Sequence, residues 1–156
     1  MTIEINQAPA AKDTPLTRRI RLTQATVDKF QGVELEWGKR DCLRMFAFHV
    51  RQFGYTVGLA RYGNYSSLKG AIAALRKTHK TMAAGVESYG LMPIGYASAL
   101  PGDVIALPGE AVGAALAIYL GNGRALGFGD MDDREVCDVM QPLEIVGAWR
   151  VEWLRR

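Results

Sequence analysis

Two cysteines and two histidines are all that this 156-residue chain has of the residues that most often hold metals or attack substrates. Cys42 and Cys137 lie far apart, with no CxxC pair and no Cys/His cluster. A structural zinc site is therefore not expected, and no metal or cofactor is implied. Any histidine chemistry falls to His49 or His79. Long apolar runs are also missing, so no membrane span is expected. The first residues, MTIEINQAPAAKDTPLTRRIRL, lack a basic start followed by an apolar core and do not read as a secretory signal. Synthesis in a reducing cytoplasm with free thiols is the expectation. Charge of one sign is scarce too. Nineteen Lys and Arg against sixteen Asp and Glu leave a net charge of +3, too little to argue for a nucleic-acid partner.

What is present points to a folded chain. The sequence is 49% apolar and 22% charged, outside the range of disordered sequences. Its length suits one domain, which at this size buries roughly two thirds of its unfolded surface and needs no staple. Residues 1–21 are polar, with Pro9, Pro15 and the basic residues Arg18, Arg19 and Arg21. They read as an extended arm, either a frayed terminus or a segment that orders on a neighbouring subunit. Residues 22–156 then form the single domain.

Helices come first. Residues 23–31 read as a short helix, capped by Thr23 or Thr26 and stopped by Gly32. Cys42, Met45, Phe46, His49, Val50 and Phe53 recur at helical spacing and predict a buried central helix over 42–53. Asp41 is its N-cap and Gly54 its stop. A third helix is expected over 67–79, capped by Ser66 or Ser67, with Leu68, Ala71, Ile72 and Leu75 inward. A short helical or irregular piece follows at 81–89. Strands come second: 104–107 after the turn Pro101-Gly102-Asp103, 114–120, a return over 124–128 after the hairpin pair Asn122-Gly123, and 145–153. The acidic residues 130–133 read as a solvated turn rather than a calcium loop. Helices followed by antiparallel strands indicate an α+β fold.

Cys42 is the residue placed best for chemistry. It opens a helix behind Asp41, near Lys39, Arg40 and Arg44, where unpaired N–H groups and cations lower a thiol pKa. It also lies on the apolar stripe, where free cysteine is commonly a small core residue. Both readings stand. His49 shares its helix face but is two turns on, about 10 Å along the axis, too far to take the thiol proton. It reads as a core or interface histidine. His79 sits at a helix C-terminus, where a cation complements the dipole. Tyr55, Arg61, Tyr62 and Tyr65 form an aromatic and basic group that caps the core or meets a sugar or partner. Gly121-Asn122-Gly123 is a hairpin turn with no helix after it, so it is not a phosphate cradle.

Three pieces in this order carry a family resemblance: Trp37-Gly38-Lys39-Arg40-Asp41-Cys42, Pro101-Gly102-Asp103-Val104-Ile105 and Ile118-Tyr119-Leu120-Gly121-Asn122-Gly123. Together they resemble the NlpC/P60 cysteine-peptidase superfamily. The closing Gly147-Ala148-Trp149-Arg150 is similar to its small, tail-associated bacteriophage relatives of the DUF6950 type. The resemblance spans roughly residues 25–153. It implies a papain-like α+β fold, with N-terminal helices packed on a small antiparallel sheet and Cys42 as nucleophile. In active members a histidine base opens the strand that here reads Ala115-Leu116-Ala117-Ile118-Tyr119-Leu120. The expected base position is Ala115, and alanine cannot accept a proton.

The expectation is therefore a structural or assembly component of a phage tail tip or baseplate, resident in the virion. It would contact other tail proteins through residues 1–21 and the basic end Leu154-Arg155-Arg156. The alternative is an active peptidase or amidase that cleaves peptidoglycan peptides during phage entry through Cys42 and an unconventional base. A soluble binding domain unconnected with phage is the third reading.

Overall fold

The structure, a computed structural model, describes residues 13–109 and 115–154. Its first element is helix α1, Pro15–Phe30, which replaces both the inner part of the expected arm and the short helix expected at 23–31. The Thr14 hydroxyl accepts from the Thr17 N–H, and Pro15 takes the first helical position, where its missing N–H costs nothing. The helix is polar because only one narrow face is buried: Thr23, Thr26 and Phe30. Thr23 and Thr26 are interior residues, not caps; the Thr23 hydroxyl donates back to the Arg19 carbonyl, and the Thr26 hydroxyl meets His49. Residues 1–12 of the expected arm lie outside the described residues.

Helix α2, Cys42–Gln52, begins at the expected residue and buries Met45, Phe46, Ala47, His49 and Val50. A 3-10 turn at Ala60–Tyr62 leads to α3, Leu68–Thr78, capped by Ser67, and α4, Met82–Ser88, capped by Thr81. The strands are β1 Met92–Pro93, β2 Val104–Leu107, β3 Ala115–Gly121, β4 Arg124–Met131, β5 Arg134–Met140 and β6 Gly147–Arg150. A second 3-10 turn, Tyr96–Ser98, lies between β1 and β2. The strands form one sheet in the order β1-β6-β2-β3-β4-β5, and every pairing is antiparallel. The fold is thus α+β, with an open sheet.

Two strand expectations change. The return after Asn122-Gly123 runs on to Met131, and the acidic segment is only the turn Asp132-Asp133 of a second hairpin, with φ of +48° and +67°. Both residues occupy the left-handed region that such a two-residue turn demands. The partner strand β5 escaped the sequence reading because its edge position leaves Arg134, Glu135 and Val139 exposed and breaks the apolar pattern. The expected strand over 145–153 contracts to β6, because the Val151 N–H turns to the Asp103 carboxylate instead of continuing the ladder.

The sheet alternates its burial. Val104, Ala106, Leu116, Ile118, Leu126 and Trp149 pack in one cluster with Phe30, Phe46, Val50 and Phe53 of the helical side. Ile105, Ala117, Ala125 and Ala148 form a second, smaller cluster under Ile94, Tyr119, Met140 and Ile145. No described helix is long and apolar enough to cross a membrane.

Asp103 joins the layers. It has no exposed surface, and four donors meet its carboxylate: Arg19 at 3.1 Å, Arg150 at 3.0 Å, and the N–H groups of Leu100 at 2.8 Å and Val151 at 3.0 Å. Arg19 also donates to the Pro101 and Val151 carbonyls. The arginine expected on a partner-seeking arm is therefore an internal tie between α1, the start of β2 and the end of β6. Its neighbours Arg18 and Arg21 both reach Asp13, at 3.2 Å, and Arg18 lies over the Trp153 ring.

Candidate functional site

The N-terminus of α2 is built around Asp41, which is buried. Its carboxylate accepts the Arg44 N–H at 3.0 Å as a helix cap, the Gly38 N–H at 3.0 Å, the Tyr65 hydroxyl at 2.6 Å and the Arg44 guanidinium at 3.1 Å. Arg44 also donates to the Tyr65 hydroxyl at 2.5 Å. Gly38 has φ of +84°, and a side chain there would collide with the Tyr65 carbonyl. The Trp-Gly-Lys-Arg-Asp-Cys motif is thus a folded unit. Glycine lets the chain approach residue 65, and the aspartate closes both the turn and the helix.

Cys42 follows as the first residue of α2. Its thiol is pushed up to about 11, chiefly by burial and next by the Asp41 carboxylate. The N–H groups of Leu116, Cys42 and Leu43 act in the opposite direction and are outweighed. The lowering expected from nearby cations does not arise. Lys39 and Arg40 turn to Glu36, at 3.2 and 2.8 Å, and Arg44 serves Asp41. At this half-buried thiol, desolvation against the apolar core and then the Asp41 charge outweigh the helix terminus.

Cys42 shares a cavity of about 260 Å³ with Ala115, the first residue of β3. The position where the resemblance expects a base thus stands on the same cavity wall as the thiol, and it carries a methyl group. Neither histidine lines this cavity. His49 is fully buried between α1 and the turn before β2. Its Nδ1 lies 2.7 Å from the Thr26 hydroxyl and its Nε2 2.7 Å from the Gly102 carbonyl. The carbonyl can only accept, so Nε2 donates; burial disfavours the charged ring, which leaves Nδ1 to accept the Thr26 hydroxyl proton. Burial, above all, lowers its pKa to about 4. The core reading of His49 is correct.

His79 ends α3 but does not act as a cation for the helix dipole. Burial, followed by Arg61, lowers its pKa. Its Nε2 lies 3.0 Å from the Tyr62 hydroxyl, which also meets the Tyr89 hydroxyl. The aromatic group expected around Arg61 divides. Tyr62 and Tyr65 line the cavity, whereas the Tyr55 hydroxyl accepts the Glu152 N–H at 2.9 Å near the end of α2. Cys137 is a core residue whose thiol lies 3.8 Å from the Met45 sulfur, and burial raises its pKa to about 12. Both cysteines are free.

Tyr65 as the partner of Asp41, and Arg19 and Arg150 as partners of Asp103, were not legible in the sequence. The motif aspartates were the available signal, but their partners are distant in the chain. Among the described residues no group of three or more His, Cys, Asp or Glu is arranged to hold a metal ion. No curated protein matches this sequence. The domain of unknown function DUF6950 matches over residues 16–151, from the first turn of α1 to the end of the sheet, and the chain belongs to that family.

Proposed function

We propose that this chain is a non-catalytic relative of the NlpC/P60 cysteine peptidases and a structural or assembly component of a bacteriophage tail tip or baseplate. The observation that carries the reading is Ala115 on the cavity wall that Cys42 shares. A cysteine at a buried helix N-terminus facing the start of a sheet strand is in keeping with a papain-like layout. The residue that would take the proton is missing from it. A thiol pushed up to about 11 is almost wholly protonated at neutral pH, and the thiolate is the attacking species. Losing one member of a coupled nucleophile–base set removes most of the rate. Both histidines are already engaged, His49 with Thr26 and Gly102 and His79 with Tyr62. The phage assignment rests on the sequence resemblance, including Gly147-Ala148-Trp149-Arg150.

Three measurements test the two halves of the proposal. Purified peptidoglycan is incubated with the wild type and with Cys42→Ala, and no turnover is expected from either. Turnover by the wild type that vanishes in the variant would overturn the non-catalytic half in favour of the peptidase reading. Cys42 alkylation followed against pH in Cys137→Ala is expected to rise with a midpoint near 11, not near neutrality. For the assembly half, purified virions are expected to contain the chain. Its absence from complete particles would remove the tail role.

A further inference from the structure

Helix α3 repeats Leu68, Ala71, Ile72 and Leu75 at helical spacing, and all four line the Cys42 cavity. An apolar helical face ordinarily closes on a core. Here it closes on a space, and no residue of α3 is fully buried. The polar tips around that space are turned to internal partners. Asp41 holds Gly38, Arg44 and Tyr65, and the Tyr62 hydroxyl meets His79 and Tyr89. The wall therefore presents mainly carbon, which holds water poorly. Among the described residues its charged side chains, Asp41 and Glu135, are both acidic, and no Lys or Arg lines it. Asp41 is already neutralised by Arg44, so the described lining offers an anion no free cation, and burying one there would cost its hydration.

We propose that this cavity binds a small, uncharged, apolar ligand about the size of two to three aromatic rings. The volume of about 260 Å³ lies just below the roughly 300–1,000 Å³ of ordinary small-molecule pockets. The inference goes beyond the non-catalytic reading and concerns occupancy, not turnover. Peptidoglycan assays bear on that reading alone, and the experiment below bears on this one alone.

The probe is N-phenyl-1-naphthylamine, a neutral fluorophore, titrated into the full chain. A saturable one-site rise in fluorescence is expected, and the bound probe slows alkylation of Cys42, whose side chain forms part of the wall. Ala71→Phe, which fills the cavity, weakens binding by about tenfold or more. Ala73→Phe, on the exposed side of the same helix, leaves it unchanged. The anionic analogue 8-anilinonaphthalene-1-sulfonate binds about tenfold more weakly than the neutral probe. Absence of saturable binding overturns the proposal. So does equal binding by Ala71→Phe, or equal binding of the anionic analogue. If Ala71→Phe fails to fold, protection of Cys42 in the wild-type chain decides. Alkylation that is no slower with probe bound refutes the site.

Discussion

A carboxylate without exposed surface is tolerable only when its lone pairs are met by donors, and Asp103 is met by four. Removing it would strand Arg19 and Arg150 against a buried void. Asp103→Ala is expected to cost about 3–5 kcal/mol in urea denaturation, the range for breaking a buried ion pair. Asp13→Ala removes two exposed ion pairs and is expected to cost no more than about 0.5 kcal/mol in the same measurement. His49 adds a pH dependence. Its folded pKa of about 4 lies below the ordinary histidine value, so the unfolded chain takes up a proton first as pH falls. Its contribution is complete above about pH 6.5 and is lost as pH falls towards 4, by about 3 kcal/mol in total. Urea midpoints from pH 7 to 4 should show this fall. His49→Gln should flatten it over that window.

At the scale of elements, the turn Asp132-Asp133 holds two side chains in left-handed backbone. Asp133→Gly relieves one of them and is expected to stabilise the β4–β5 hairpin by about 0.5–1 kcal/mol, raising Tm by a few degrees. Elements with a strong local signature were legible. Asp41 before a continuous apolar stripe located the start of α2, and Asn122-Gly123 located the first hairpin, with Asn122 at φ +52°. Elements with a divided signature were not. The outer half of α1 looks polar because its partly buried Arg19 is paired with a residue more than eighty positions away. The edge strand β5 has its exposed residues where a central strand would have apolar ones. The inner helices also differ in how they are held. α2 is packed on β3, whereas α3 rests on the Ala60–Tyr62 turn and α4 above a cavity. Amide exchange is expected to be faster along α3 than along α2, with protection rising across α3 when the cavity is filled.

At the scale of the molecule, the sequence alone determined the helices-then-strands order and the start of α2 at Cys42. Those features depend on residue type and short spacing, which a chain carries wherever it folds. Only the tertiary structure decided the state of the thiol. Three basic residues near Cys42 suggested a lowered pKa, but Glu36 and Asp41 claim all three, and burial pushes the thiol up to about 11. The fate of Arg19 was decided in the same way. It looked like part of a partner-seeking terminus until β2 and β6 brought Asp103 to it. Desolvation and long-range ion pairing depend on what packs around a group, and sequence spacing carries no record of that.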